Sequence, residues 1–420
     1  MNVFYKYRLT ALVGLLLLFA GVGLSSFFQT PKSQHFLDQS RLDRVSVAKV
    51  LLPYLQNSSW LPQEIVYSSD YSSNEQPSTR LHLKYTLDEQ LQKSADTLLK
   101  RYKPDYAAIF MMDAKTGKVL IYSSFQKEET NENLLKKATY PAASIFKIIT
   151  ATAAVEKRGL SPQHKIQFNG GNWTLYKKNV MLDTINRWTR TVSMREAFAK
   201  SMNTPFGKIG LHHTNPQDLQ HYAERFMFNQ SIPADFPVDK GVAQIPTEKN
   251  FELTEVAAGF NKQNRMSPIQ GAMIAAAVIN DGKMMAPYMV ESVTNHENKV
   301  LYTGEAVPLP TAMTPASSKK IRELMEETIL SGTSRRTFAS LRTNKKFREL
   351  ELGGKTGHLT GLDPKGQVDW FVGFASNGER DIAIGVVTVN KKFWTVKSSY
   401  LGQSLFQKAF EEDYEIANNP

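Results

Sequence analysis

The chain of 420 residues contains no cysteine. That absence removes disulfides as a source of stability, a thiolate as nucleophile and any metal site built on sulfur. It suits a compartment in which stray thiols would be oxidised. No tandem repeat or low-complexity tract interrupts the sequence, so a solenoid or repeat array is not expected. Among eight histidines only His212 and His213 are adjacent. Neighbours on a helix point to different faces, so no metal pair is expected there. Carboxylates are the scarcer charge, with 40 Asp and Glu against 51 Lys and Arg, a net charge of +11. Such a surface favours approach to anionic phospholipid or an acidic polymer.

Long apolar runs are also scarce. The run that matters is Leu9 to Phe28, uncharged and long enough to span a bilayer. Lys6 and Arg8 precede it, which predicts a cytoplasmic tail of residues 1–8 and an extracytoplasmic bulk. A cleavable signal peptide is the competing reading, but no Ala-x-Ala site is evident, so an uncleaved single-pass anchor over 9–28 is expected. An exported chain has little access to nucleic acid. The basic clusters Ser334–Arg336 and Lys345–Arg348 therefore read as solvated loops. Residues 29–80 read as a stalk or minimal pedestal, with an amphipathic patch from Val45 to Leu55. Residues 81–420 suffice for one large two-lobed domain.

Three short patterns stand in order along that domain: Ser144-Ile-Phe-Lys147, Ser201-Met-Asn203 and Lys355-Thr356-Gly357. Each is cheap alone. Ser-x-x-Lys recurs at Ser46–Lys49, Ser124–Lys127 and Ser317–Lys320, Ser-x-Asn at Ser72–Asn74, and Lys-Thr-Gly at Lys115–Gly117. Context chooses between the copies.

Ser144 opens an apolar run to Val155, bracketed by Pro141 and Gly159, which reads as a buried helix with Ser144 in its first turn. Lys147 would lie on the same face, hard to protonate in such surroundings and suited to a general base. The same segment also reads as a core helix with one snorkelling lysine. Ser201–Asn203 reads as the end of a helix begun by the capping pattern Ser193–Glu196 and stopped by Asn203-Thr-Pro205. Two polar side chains at that corner would face a cleft, or merely satisfy the helix end. Lys115–Gly117 sits between two apolar runs and reads as a hairpin turn. Lys355–Gly357 follows Gly353-Gly354 and precedes two clear strands, Val368–Ala375 and Asp381–Val389. There Lys355 and Thr356 would hold a carboxylate at a strand edge.

These motifs and their flanks resemble the transpeptidase domain of penicillin-binding proteins, from about Leu81 to Tyr414. The likeness extends to Leu83–Gln92, Asp113–Gly117, Ser267–Ala272, Gly332-Thr333 and Asp369–Phe374. Two positions depart from the family pattern. His358 stands where threonine usually follows Lys-Thr-Gly, and Lys262–Met266 replaces a glutamine-glycine run. His358 either points outward or titrates near neutral pH.

The resemblance implies an α+β fold, an antiparallel sheet flanked by helices with a helical subdomain from about Ile148 to Pro315. It implies a Ser144 acyl-enzyme on D-alanyl-D-alanine stem peptides of peptidoglycan, with Lys147 as base, Ser201 as proton relay and Asn203 positioning the substrate. Lys355 and Thr356 would bind the terminal carboxylate, with Gly357 between them and His358, whose N–H would join that of Ser144 as oxyanion donor. No metal or organic cofactor is implied. β-Lactams would inhibit by acylating Ser144, and a glycan polymerase or other wall-assembly protein is the expected partner. A D,D-carboxypeptidase or endopeptidase would use the same residues, and a β-lactam sensor or idle scaffold would retain the fold. A secreted β-lactamase fits less well, because the Glu-x-x-Asn pattern of one serine class is missing after Asn203.

Overall fold

The computed structural model describes residues 42–67, 79–128 and 132–418. The tail 1–8 and the expected membrane span 9–28 lie outside them, as does Ser72–Asn74. Among the described residues no helix is long and apolar enough to cross a membrane.

Along the chain come helix α1 (Arg44–Leu55), strands β1 (Glu64–Tyr67) and β2 (Thr79–Tyr85), helix α2 (Glu89–Tyr102), and strands β3 (Tyr106–Asp113) and β4 (Val119–Gln126). Helices α3 (Phe146–Arg158), α4 (Met194–Ala199), α5 (Asn203–His212), α6 (Pro216–Arg225), α7 (Phe251–Ala258) and α8 (Pro268–Ile279) follow. Strands β5 (Val290–Asn295) and β6 (Val300–Thr303) lead to helix α9 (Pro315–Leu330). Strands β7 (Glu351–Leu362), β8 (Lys365–Ser376) and β9 (Asp381–Asn390) precede helix α10 (Ser398–Asn418).

The runs on either side of Asp113–Gly117 form the expected hairpin, β3 against β4. They join an antiparallel sheet of order β7-β8-β9-β3-β4. Every residue of β9 is buried, so its sequence is apolar almost throughout rather than alternating. The reason is a helical layer on each face. On one, α8 is buried at every position against β9, β3 and β8, while α3, buried from Phe146 to Val155, packs among α5, α6, α7 and α9. On the other, α10 packs Leu401, Leu405, Phe406, Ala409 and Phe410, which recur at helical spacing. Each such large side chain contributes roughly 1.5–3 kcal/mol on burial.

A second sheet runs β1-β2-β5-β6, and α1 buries Val47, Leu51 and Leu55 in the same core as α3 and α8. The boundary expected at 80/81 falls inside β2, which pairs with strands from both sides of it. The helical lobe is also shorter than the expected Ile148–Pro315, because after Ile279 the chain returns as β5 and β6 to the second sheet.

Candidate active site

The chain reaches Ser144 through Tyr140–Pro141, paired with Arg265–Met266, while Ala142 N–H donates to Asn264 O at 2.8 Å. Trp370 in β8 donates its indole N–H to Pro141 O at 2.9 Å, fixing this entry to the sheet. Ala143 has φ +49, a left-handed conformation unusual for a residue with a Cβ. The bend places Ser144 in a 3-10 turn, Ala143–Ile145, rather than in the first turn of α3 as expected. Gly259, with φ +61, ends α7 against this bend, and any Cβ there would collide with the Ala143 carbonyl.

Lys147 does not snorkel; it is fully buried. Its Nζ lies 2.8 Å from Ser144 Oγ, 2.9 Å from Asn203 Oδ1 and 2.6 Å from Ala258 O. Burial, and then the charge of Lys355, hold its pKa well below the usual lysine value. A neutral amine has two N–H bonds and one lone pair. In that form the two carbonyl oxygens can accept the hydrogens, which leaves the lone pair for the Ser144 hydroxyl.

The Ser201–Asn203 corner is built differently from the sequence reading. Ser193 caps α4, its Oγ accepting Glu196 N–H at 3.1 Å, but the Glu196 carboxylate engages Lys200 at 2.7 Å instead of closing a capping box. The helix ends at Ala199, Ser201 takes φ +54, and Asn203 opens a new helix, α5. Pro205 does not stop a helix here. It sits in the first turn of α5, where a missing N–H costs nothing. Asn203 uses both ends of its amide, accepting from Lys147 and donating Nδ2–H to Trp173 O at 2.6 Å. Ser201 Oγ accepts from Lys355 Nζ at 2.8 Å.

Lys355, Thr356, Gly357 and His358 lie on β7, an edge strand of the sheet. Strand alternation separates their side chains. Lys355 is fully buried, and that burial lowers its pKa to about 7. Gly357 admits close approach, since a Cβ would stand 3.3 Å from Ala143 Cβ and 3.4 Å from Ser144 N. On the opposite face Thr356 Oγ1 lies 2.6 Å from Thr333 Oγ1. His358 is exposed and tilted against Trp394, ring centroids 4.8 Å apart. Partial burial and the charge of Lys397 lower its pKa below the ordinary histidine value.

The seven motif residues and His358 therefore meet in one place, and Ser144, Ser201, Asn203, Thr356, Gly357 and His358 line a cleft of about 420 Å³. Trp173, Phe260, Thr333 and Lys397 line it too, and the sequence reading assigned them no role. Gly332-Thr333 was the one signal among them. The rival Ser-x-x-Lys copies lie elsewhere, on α1, β4 and α9. Lys115, in the first Lys-Thr-Gly copy, pairs with Asp381 at 3.1 Å. Among the described residues no group of three or more His, Asp or Glu side chains is placed to hold a metal ion.

Residues 107–411 match the family model for the penicillin binding protein transpeptidase domain. Stage V sporulation protein D of Bacillus subtilis is 24% identical over 341 residues, covering 75% of this chain and 51% of that protein. Peptidoglycan D,D-transpeptidase PbpA of Mycolicibacterium smegmatis is 27% identical over 275 residues, covering 62% of this chain and 52% of its own length. The chain thus spans about half the length of these relatives. The ceftriaxone acyl-enzyme of penicillin-binding protein A from M. tuberculosis shares the fold, with a TM-score of 0.65 at 21% identity, over 78% of this chain and 80% of that one. The chain belongs to the penicillin-binding protein transpeptidase family.

Proposed function

We propose that this member of the family is a serine D,D-transpeptidase, acylated at Ser144 by D-alanyl-D-alanine stem peptides of peptidoglycan. The observation that carries the reading is the buried Lys147 amine, 2.8 Å from Ser144 Oγ and within hydrogen-bond reach of two carbonyl oxygens. Lys147 takes the hydroxyl proton as Ser144 Oγ attacks the penultimate D-alanine carbonyl. The Ser144 N–H, which Gly357 lets β7 approach, and the His358 N–H stabilise the oxyanion, each such donor being worth about 3 kcal/mol. Ser201, held by Lys355, passes a proton to the leaving D-alanine amine as the C–N bond breaks. Asn203 orients the substrate amide, and Lys355 with Thr356 receives the terminal carboxylate. An amine from a neighbouring strand then attacks the ester carbonyl, its proton going to Ser201, and the C–Oγ bond breaks as Ser144 Oγ regains the proton from Lys147, which leaves the cross-link and the resting site.

The relatives' names support this activity, and a neighbour's acyl-enzyme with a cephalosporin supports β-lactams as inhibitors. Residues 9–28 anchor the protein in the inner membrane, with the catalytic domain on the extracytoplasmic side and a glycan polymerase or other wall-assembly protein as partner.

The test is intact mass of the full chain after incubation with a penicillin. A persistent adduct mapped to Ser144, lost in Ser144→Ala, supports the acyl-enzyme; no adduct on folded protein overturns it. Donor and acceptor peptides then separate cross-linking from trimming, in which water replaces the amine.

A further inference from the structure

The segment between the paired strands Lys165–Phe168 and Arg190–Ser193 has no part in the chemistry above beyond its contact with Asn203. Of sixteen large apolar side chains exposed among the described residues, five fall within 173–188: Trp173, Tyr176, Leu182, Ile185 and Trp188. Such a concentration marks a contact surface rather than scattered exposure. Its backbone is pinned from below. Asn169 Nδ2 donates to Thr184 O at 2.7 Å, Arg190 reaches Gly170 O and Asn172 Oδ1, and Trp173 Nε1 donates to Lys200 O at 3.2 Å. The outward rings are thus presented by an ordered platform.

Its charge is one-sided. Lys165, Lys177, Lys178, Arg187 and Arg190 are exposed on this segment and the two strands that bound it, and Arg187 lies 4.2 Å over Trp188. The one carboxylate of the segment, Asp183, is held by Lys208 at 2.6 Å. The platform is continuous with the cleft, because Trp173 lines both.

We propose that residues 169–190 bind the glycan strand of the substrate: a polymer of N-acetylated aminosugars bearing carboxylated peptides. This rests on the peptidoglycan reading above and gives it a second site outside the cleft. The apolar faces of pyranose rings stack on Trp173, Tyr176 and Trp188, while acetamido methyl groups pack on Leu182 and Ile185. Peptide carboxylates along the strand meet the lysines and arginines. A basic, aromatic surface of this kind also suits an anionic bilayer, so the test must separate the two.

The experiment is co-sedimentation of the detergent-solubilised full chain with purified insoluble peptidoglycan, for wild type, Tyr176→Ala with Trp188→Ala, and Lys177→Glu with Lys178→Glu. Each double variant is expected to lose at least about tenfold in affinity, the order of one lost aromatic contact, yet to be acylated by penicillin at the wild-type rate. Ser144→Ala is expected to sediment as wild type, so failure of the acyl-transfer reading would leave this result standing. Wild-type sedimentation by both double variants would overturn the proposal. So would unchanged sedimentation together with Trp188-dependent fluorescence quenching by brominated phosphatidylglycerol vesicles, which would assign the surface to lipid.

Discussion

Lys355 Nζ stands 2.8 Å from Ser201 Oγ, a contact between residues 154 apart in the chain that joins the edge of the sheet to the helical lobe. It brings a second buried lysine into the cleft that already holds Lys147, and each is driven toward its neutral form. Two amines with lowered pKa values in one small space make the site a proton-handling device whose behaviour depends on pH.

Acylation should rise with pH as Lys147 loses its proton. The charge of Lys355 is one cause of the lowered Lys147 pKa, after burial. In Lys355→Met that repulsion is gone, so Lys147 should hold its proton to higher pH. The rising limb of the second-order acylation rate against pH is expected to move to the alkaline side. The rate itself should fall by tenfold or more, about 1.4 kcal/mol, through loss of the proposed carboxylate partner. A limb that stays in place in Lys355→Met would show that the two amines are not coupled.

The same substitution should change stability in the opposite sense. Lys355 has a pKa of about 7 in the folded protein against 10.5 unfolded. Between those values the unfolded chain binds the extra proton, so wild-type stability rises with pH across that window. Below about pH 7 the folded protein carries the buried charge and its cost is complete. Lys355→Met is therefore expected to melt higher than wild type near pH 6 and to lose that advantage as pH approaches 10. Melting curves across this range check it; a difference independent of pH would mean that Lys355 is not titrating in the fold.

Much of this arrangement was legible in the sequence, for reasons that differ by element. The Ser144 helix announced itself because α3 is apolar on all sides, and β8 and β9 because both faces of the sheet are covered. The corner at Ser201 was misread, since Pro205 is compatible with either a helix stop or a first turn and only the Ser201 backbone at φ +54 distinguishes them. Trp173 and Lys397 could not be found from spacing. They reach the cleft through tertiary packing, from a loop before α4 and from the start of α10.

Gly259 carries a requirement that its position, far from any motif, conceals. Gly259→Val introduces a β-branched residue at φ +61, where a left-handed conformation alone costs roughly 1–2 kcal/mol, and drives its Cβ into the Ala143 carbonyl. The displaced bend carries Ser144 away from Lys147 and from β7. Acylation is expected to fall by more than about tenfold, beyond what a fold weakened by 1–2 kcal/mol explains at a temperature where the variant is folded. Full acylation in a folded Gly259→Val would mean that the bend at Ala143 does not position the nucleophile.

His358 offers the clearest division between shape and charge. Its ring lies against Trp394, whose other neighbour is the Lys397 amine, 3.2 Å from the indole centroid. Partial burial and that nearby cation both disfavour protonation of the ring. His358→Gln keeps the backbone N–H and a polar side chain of similar reach but cannot titrate. The pH profile of acylation above about pH 6.5, the ordinary histidine pKa, is expected to coincide in shape with wild type. The amplitude should change by less than about fivefold, because the proposed oxyanion donor is main chain and the lost stack is worth about 1 kcal/mol at most in this exposed position. A limb present in wild type and missing from His358→Gln would instead place a protonated imidazole in the reaction. The Lys397–Trp394 contact would then have to open as His358 gains its charge.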